Sequence, residues 1–181
     1  LAYSNRQRQG VFAEFVTASR DSIARKPDDV PFEVAAAAAT VSMTSLQSLR
    51  DLGGLGEGKA AMIVGAGGGI VSIAVGIAKR LGAHVTAVCS TRDVARVEAL
   101  GADVVIDRKA ADPLAAEAAY DVIFDSPAVH SFGACSKLLR PGGAYVTTLP
   151  GAALIAGMLQ ALFTSKSCHF VQVASRRADL E

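Results

Sequence analysis

The chain has 181 residues, enough for one well-cored domain and too few for two ordinary ones. A composition of 51% hydrophobic and 19% charged residues places it among globular proteins and away from disordered or fibrous chains. The formal charge of +1 argues against a nucleic-acid surface, which needs a clustered excess of Lys and Arg; Arg6 and Arg8 read as part of a solvated tail. Cys89, Cys135 and Cys168 form no C-x-x-C pair, which suits reduced thiols in a cytoplasmic setting rather than a disulfide framework or zinc finger. The longest apolar stretch, Leu149 to Leu159, is broken by Pro150, Gly151 and Gly157. It is shorter than the ~20 residues of a bilayer span, so no membrane partner is expected. The first Met is Met43, and the chain reads as an excerpt of a longer protein.

In chain order, Val11 to Val16 alternates apolar and polar residues, as a half-buried strand does, and Ser22 to Arg25 suggests a second short strand. Residues 1–30 therefore read as the end of an upstream domain, and 31–181 as a separate one. Pro31 suits a first helical position, Glu33 favours the N-terminal dipole, and the alanine run Ala35 to Ala39 allows close packing. A second helix is predicted over Ser42 to Leu52, stopping at Gly53 and Gly54. From Lys59 the pattern alternates. Strands are predicted over Ala60–Val64, His84–Cys89, Val104–Ile106, Tyr120–Asp125 and Ala144–Thr148. Between them helices are predicted over Ile70–Leu81, Arg92–Leu100, Pro113–Ala119 and Val129–Leu139. Short, continuously apolar strands separated by helices imply an α/β fold, a Rossmann-type doubly wound parallel sheet. Within Gly151–Phe163, the side chains of Leu154, Ile155, Met158, Leu159, Leu162 and Phe163 are expected mostly in the core, with a hydrophobic substrate wall as the alternative.

The first strand of this alternating region runs into Gly65-Ala66-Gly67-Gly68-Gly69, and a helix follows. Glycines in that context permit a tight turn and let backbone N–H groups approach a pyrophosphate at a helix N-terminus. A flexible turn without a ligand is the plainer reading, but four glycines in five residues cost chain entropy for no structural gain. The third glycine of the G-x-G-x-x-G pattern is missing: counted from Gly65 it falls on Ile70, and one residue later on Val71. A β-branched residue there is expected to be absorbed by small neighbours such as Ala74 and Ala78, with somewhat weaker cofactor binding.

NAD-binding domains of this kind place Asp or Glu at the end of the second strand, about 20 residues past the glycines, to bond the ribose 2′-hydroxyl. Here that residue is Cys89, followed by Ser90, Thr91 and Arg92. Two hydroxyls, a guanidinium and a helix start suit a 2′-phosphate, so NADP(H) is the expected cofactor; an ordinary helix cap with a solvated arginine is compatible with it.

The ordered pieces Phe12-Ala-Glu-Phe-Val16, Met43-Thr44-Ser45-Leu46, Val64-Gly-Ala-Gly-Gly-Gly69, Lys79-Arg-Leu-Gly-Ala83, Leu100-Gly-Ala-Asp103, Val105-Ile-Asp107, Tyr120-Asp-Val-Ile-Phe-Asp125 and Leu139-Arg-Pro-Gly-Gly143 are familiar. Together they resemble the medium-chain dehydrogenase/reductase superfamily, in its zinc-independent quinone-oxidoreductase-like branch. The resemblance implies a subunit with a GroES-like catalytic β domain, of which residues 1–30 are the remnant, and a Rossmann cofactor domain. It implies hydride transfer from NADPH to a quinone, enone or other activated carbonyl compound. By position, Gly65, Ala66, Gly67, Gly68, Gly69 and Ile70 border the pyrophosphate, and Ser90, Thr91 and Arg92 the 2′-phosphate. Thr44 falls near the nicotinamide, and Ser126 and Pro127 line the cofactor cleft. Arg108 stands where many relatives have tyrosine. The zinc-dependent branch has a cysteine ligand four residues before the threonine, where this chain has Thr40, so no metal is expected. The resemblance also implies a homodimer, with the apolar run Phe170 to Val173 as candidate edge strand.

A short-chain dehydrogenase needs Lys four residues after its catalytic Tyr, and Tyr3, Tyr120 and Tyr145 have Gln7, Phe124 and Leu149 there. A methyltransferase usually has an acid where Cys89 sits. The remaining alternative is a non-catalytic nucleotide-sensing or structural module on the same scaffold. Catalytic residues are expected in the missing domain.

Overall fold

A computed structural model describes residues 13–115 and 119–181. Six strands, β1 (Ala60–Val64), β2 (His84–Cys89), β3 (Val104–Asp107), β4 (Tyr120–Asp125), β5 (Leu139–Thr147) and β6 (Ser167–Phe170), form one sheet in the order β3-β2-β1-β4-β5-β6. Every pairing is parallel. This is the doubly wound Rossmann order, in which ligands lie beyond the carboxyl ends of the strands where the order reverses, between β1 and β4.

The strands are continuously apolar because both faces of the sheet are covered, and successive side chains go to opposite sides. Ala61 and Ile63 of β1, with Val122 and Phe124 of β4, enter one core with Val71, Ala74, Val75 and Ala78 of helix α2 (Gly69–Arg80). Met62, Val64 and Ile123 enter the other core with Phe132 and Cys135 of helix α4 (Phe132–Ser136).

The helical N-terminal region is one unit rather than two. Helix α1 (Phe32–Leu46) runs without interruption into a π-helical turn, Gln47–Leu52, so the alanine run and the predicted second helix are continuous. Pro31 stands just outside α1, as its cap. Gly53 and Gly54 end the helix as expected, Gly54 with φ +59°. The Ser45 hydroxyl lies 2.8 Å from the carbonyl of Val41 on its own helix and 2.8 Å from that of Ile70, joining α1 to the first turn of α2.

Several expectations are corrected. Ala13 to Val16 is bend and coil, exposed to solvent, with Val11 and Phe12 outside the described residues. Arg20–Ser22 is a 3-10 turn and Ile23 an isolated bridge, so no second strand forms there. Pro113 and Leu114 make a turn where a helix was expected, and residues 116–118 lie outside the described set. The Arg92–Leu100 helix divides into a 3-10 turn, Thr91–Asp93, and helix α3 (Val94–Ala99). Helix α4 starts at Phe132 rather than Val129, because the Asp125 carboxylate accepts the N–H groups of Val129 and His130 and holds them out of the helix. Ser131 then caps α4, its Oγ accepting from the Ala134 amide.

The edge strand is Ser167–Phe170, not Phe170–Val173; the ladder with β5 ends at Phe170, and the Val171 amide makes one more bond to the Thr147 carbonyl. The segment before it is helix α5 (Ala152–Ala161), seated through Gly157, where a Cβ would collide with Phe132 and Cys168. Its apolar side chains are not mainly core: Ile155, Met158, Leu159, Leu162 and Phe163 are exposed, and Leu154 packs against the core. No helix among the described residues is long and apolar enough to cross a membrane.

Candidate nucleotide-binding site

The glycine-rich turn lies at the carboxyl end of β1, between β1 and α2. Amides of both Gly65 and Ala66 donate to the Val88 carbonyl at 2.9 Å, which ties the start of the turn to β2. Gly65 has φ +84°, and a Cβ there would stand 3.0 Å from Pro127 Cγ, so glycine meets both a backbone and a packing demand. Gly68 caps α2 with no side-chain cap, and its amide bonds back to the Gly65 carbonyl at 2.8 Å. The first-turn N–H groups of α2 have no partner within the helix, and Gly69 is open on its outer side. A cleft of about 310 Å³ is lined by Gly65, Gly68, Gly69, Ile70, Val71, Ser126, Pro127, Thr148 and Leu149. The open Gly69, uncapped amides and a helix N-terminus fit a pyrophosphate.

Val71 is accommodated. It is buried among Ala66, Ala74 and Ala78, and its Cγ2 lies 3.8 and 3.6 Å from the positions where side chains on Gly65 and Gly68 would begin. The neighbours that make room for it thus include the glycines themselves.

The loop after β4 forms the opposite wall. Ser126 Oγ and Thr148 Oγ1 are 3.2 Å apart, and the Thr148 hydroxyl donates to the Ser126 carbonyl at 2.8 Å. Beneath them Asp125 is fully buried, bonded to the His130 and Val129 amides and near the Tyr145 hydroxyl. Burial pushes its carboxyl above the usual range, and those backbone N–H bonds oppose the push. Thr44 is buried in α1 with its hydroxyl donating to the Thr40 carbonyl at 2.8 Å, and it is not among the residues lining this cleft.

A second cleft, of about 540 Å³, opens at the ends of β2 and β3 and is lined by Ser90, Thr91, Arg92, Arg108 and Lys109. The ladder that pairs Cys89 with Asp107 sets the next residues side by side, and the Arg108 amide donates to the Cys89 carbonyl at 3.0 Å. Three cations therefore meet two hydroxyls. In the chain Arg108 stands out only as occupying a place where many relatives have tyrosine, without a role, and Lys109 is missed; the one signal for it is its place just after a strand whose neighbour ends at Cys89. Cys89 itself is buried, and burial raises its thiol above the usual range, so it packs in the core rather than facing the cleft.

Two carboxylates bond residues that line this cleft, without being among the lining themselves. Asp107 is held below the usual carboxylate range by the Thr91 hydroxyl and the Lys109 amide. Asp93 is held low by Ser90, whose Oγ donates to its Oδ2 at 2.6 Å, and by Arg96. Arg96 also donates to the Gly67 carbonyl at 2.5 Å, strapping the start of α3 to the glycine turn.

Residues 69–176 match the family described as zinc-binding dehydrogenase. The chain belongs to this family. It is a medium-chain dehydrogenase/reductase chain of the quinone-oxidoreductase-like kind, as its motifs implied. A bovine NAD(P)H oxidoreductase, RTN4IP1, mitochondrial, is 34% identical over 149 residues, 77% of this chain and 38% of the relative. A trans-enoyl reductase of Aspergillus terreus, pgmF, is 33% identical over 146 residues, 76% of this chain and 40% of the relative. Among solved structures, the quinone oxidoreductase from Coxiella burnetii superposes with TM-score 0.78 and 25% identity, over 90% of this chain and 51% of that one. The chain spans about half or less of the length of these dehydrogenase relatives. The family's name refers to zinc. Among the described residues no three or more His, Cys, Asp or Glu side chains group as a metal site, and Thr40 lies half-buried in α1.

Proposed function

We propose that this chain is the NADP(H)-binding domain of an oxidoreductase that transfers a hydride between NADPH and a quinone, enone or other activated carbonyl compound, without zinc. The observation that carries the reading is the pairing of the two clefts. A backbone-lined turn suits a pyrophosphate, and one strand further along, Arg92, Arg108 and Lys109 gather where a 2′-phosphate extends. The names of the bovine, fungal and Coxiella relatives support the nicotinamide cofactor and the class of acceptor.

When bound, the nicotinamide supplies the hydride chemistry. The residues of this chain bind and orient. The Gly65–Ile70 backbone holds the pyrophosphate, Pro127 packs over Gly65, and Ser126 and Thr148 line the wall toward the reactive end. Groups that polarise or protonate the acceptor belong to the rest of the protein, with residues 1–30 as the end of its GroES-like domain and 31–181 as the cofactor domain. Three free, buried thiols suit a reducing compartment such as the cytoplasm. The outer edge of β6, beside the exposed apolar face of α5, is where we place a homodimer contact; a monomeric mass in sedimentation would remove it.

The full-length protein tests the activity. NADPH oxidation driven by a quinone or enone is the expected result, and its absence with every acceptor, while NADPH still binds, would leave a nucleotide-sensing module. This chain alone is expected to bind NADPH and turn over nothing.

A further inference from the structure

Asp93 links the glycine turn to the Ser90–Arg92 segment. Its carboxylate accepts from Ser90 Oγ at 2.6 Å, from Arg96 at 3.2 Å, and lies 3.5 Å from Arg92 Nε. On its other side it fills the space a Gly67 side chain would occupy, so that a Cβ on Gly67 would collide with both Oδ2 and Cγ. An anion thus sits between the glycine turn and the Ser90–Arg92 segment. The Ser90 hydroxyl has one proton to donate, and Asp93 takes it. The Thr91 hydroxyl in turn helps hold the Asp107 carboxyl below the usual range. What remains for a 2′-phosphate is the charge of Arg92, Arg108 and Lys109, opposed at close range by Asp93.

In NAD-binding domains a carboxylate at the end of the second strand accepts a ribose hydroxyl. Residue 89 is a buried cysteine here, yet a carboxylate reaches the same junction from four residues further on. We propose that Asp93 is a specificity-determining residue of the nucleotide site: it accepts a ribose hydroxyl of NADH and opposes the 2′-phosphate of NADPH, keeping the preference for NADPH shallow. The inference rests on the reading of the second cleft as the 2′-phosphate site.

Calorimetric titration of this chain with NADPH and with NADH tests both, beside the variants Asp93→Asn and Asp93→Ser. Unliganded melting curves establish that each variant is folded, and the serine variant covers the case in which asparagine retains the ribose contact. The unmodified chain is expected to favour NADPH by no more than about tenfold, and loss of the charge to raise the NADPH-to-NADH ratio by at least about tenfold more. An unchanged ratio in both folded variants, with NADPH still preferred by the unmodified chain, overturns the role of Asp93 and leaves the phosphate site standing. Failure of the unmodified chain to bind NADPH overturns both.

Discussion

At the β1–α2 turn the groups offered to a ligand are backbone, and their positions are set by packing: Gly65 against Pro127, Val71 against the glycines, Ser45 against the Ile70 carbonyl. At the mouth of β2 and β3 the groups offered are side chains, mostly exposed, and held by one another's charges: Ser90 and Arg96 on Asp93, Thr91 and the Lys109 amide on Asp107. The first region is rigid because shape fixes it. The second is adjustable, because changing a charge there moves nothing in the core. Binding of any dinucleotide should depend on the first, and the choice between dinucleotides on the second.

Replacing Arg92, Arg108 and Lys109 together by alanine should show that division most strongly. NADPH affinity is expected to fall about 100-fold, while NADH changes by about twofold or less. Equal losses for both nucleotides, read by titration, would place these cations outside a 2′-phosphate site. In the rigid region, Gly65→Ala forces a side chain into positive φ and against Pro127. It should cost about 1–2 kcal/mol in urea unfolding and weaken both nucleotides alike.

Val71→Ala removes buried methyl groups and is expected to cost about 1–2 kcal/mol, with both affinities nearly unchanged. A large gain in affinity would mean that the valine does hold α2 away from the cofactor. The smallest effect concerns acid. Asp103 bonds Lys79 and the Val85 amide, and those partners hold its carboxyl below the usual 3.8. A depressed folded value means that its contribution to stability is present above about pH 4 and is lost as pH falls through that lower value. Asp103→Asn should therefore flatten the fall in Tm below about pH 4, and an unaltered acid limb would deny that role.

The parallel sheet was legible because its strands are buried on both faces and read as unbroken apolar runs, as in Ala60–Val64. Its edges were not. Only Cys168 of Ser167–Phe170 is fully buried, so that strand carries no apolar run, and the apolar stretch begins where pairing ends. Nothing between Ala39 and Ser42 distinguishes one helix from two. The exposure of α5 was also hidden, since an apolar helix has the same composition whether it faces a core or a missing neighbour. For the site, local context exposed the glycine turn, where strand, glycines and helix follow one another directly. Arg108, Lys109 and the carboxylate of Asp93 join it only through the β3-β2-β1 order and the fold of the Thr91–Asp93 turn, which are tertiary facts.

Thermal unfolding of this chain with NADPH, and separately with NADH, shows whether it binds a nicotinamide dinucleotide and which one it favours. At 100 times Kd a ligand adds roughly 2.7 kcal/mol, which for a domain of this size raises Tm by about 5–10 °C. A rise of that order with NADPH and a smaller one with NADH at equal concentration is the result expected of an NADP(H)-binding domain. No shift with either nucleotide would contradict that reading.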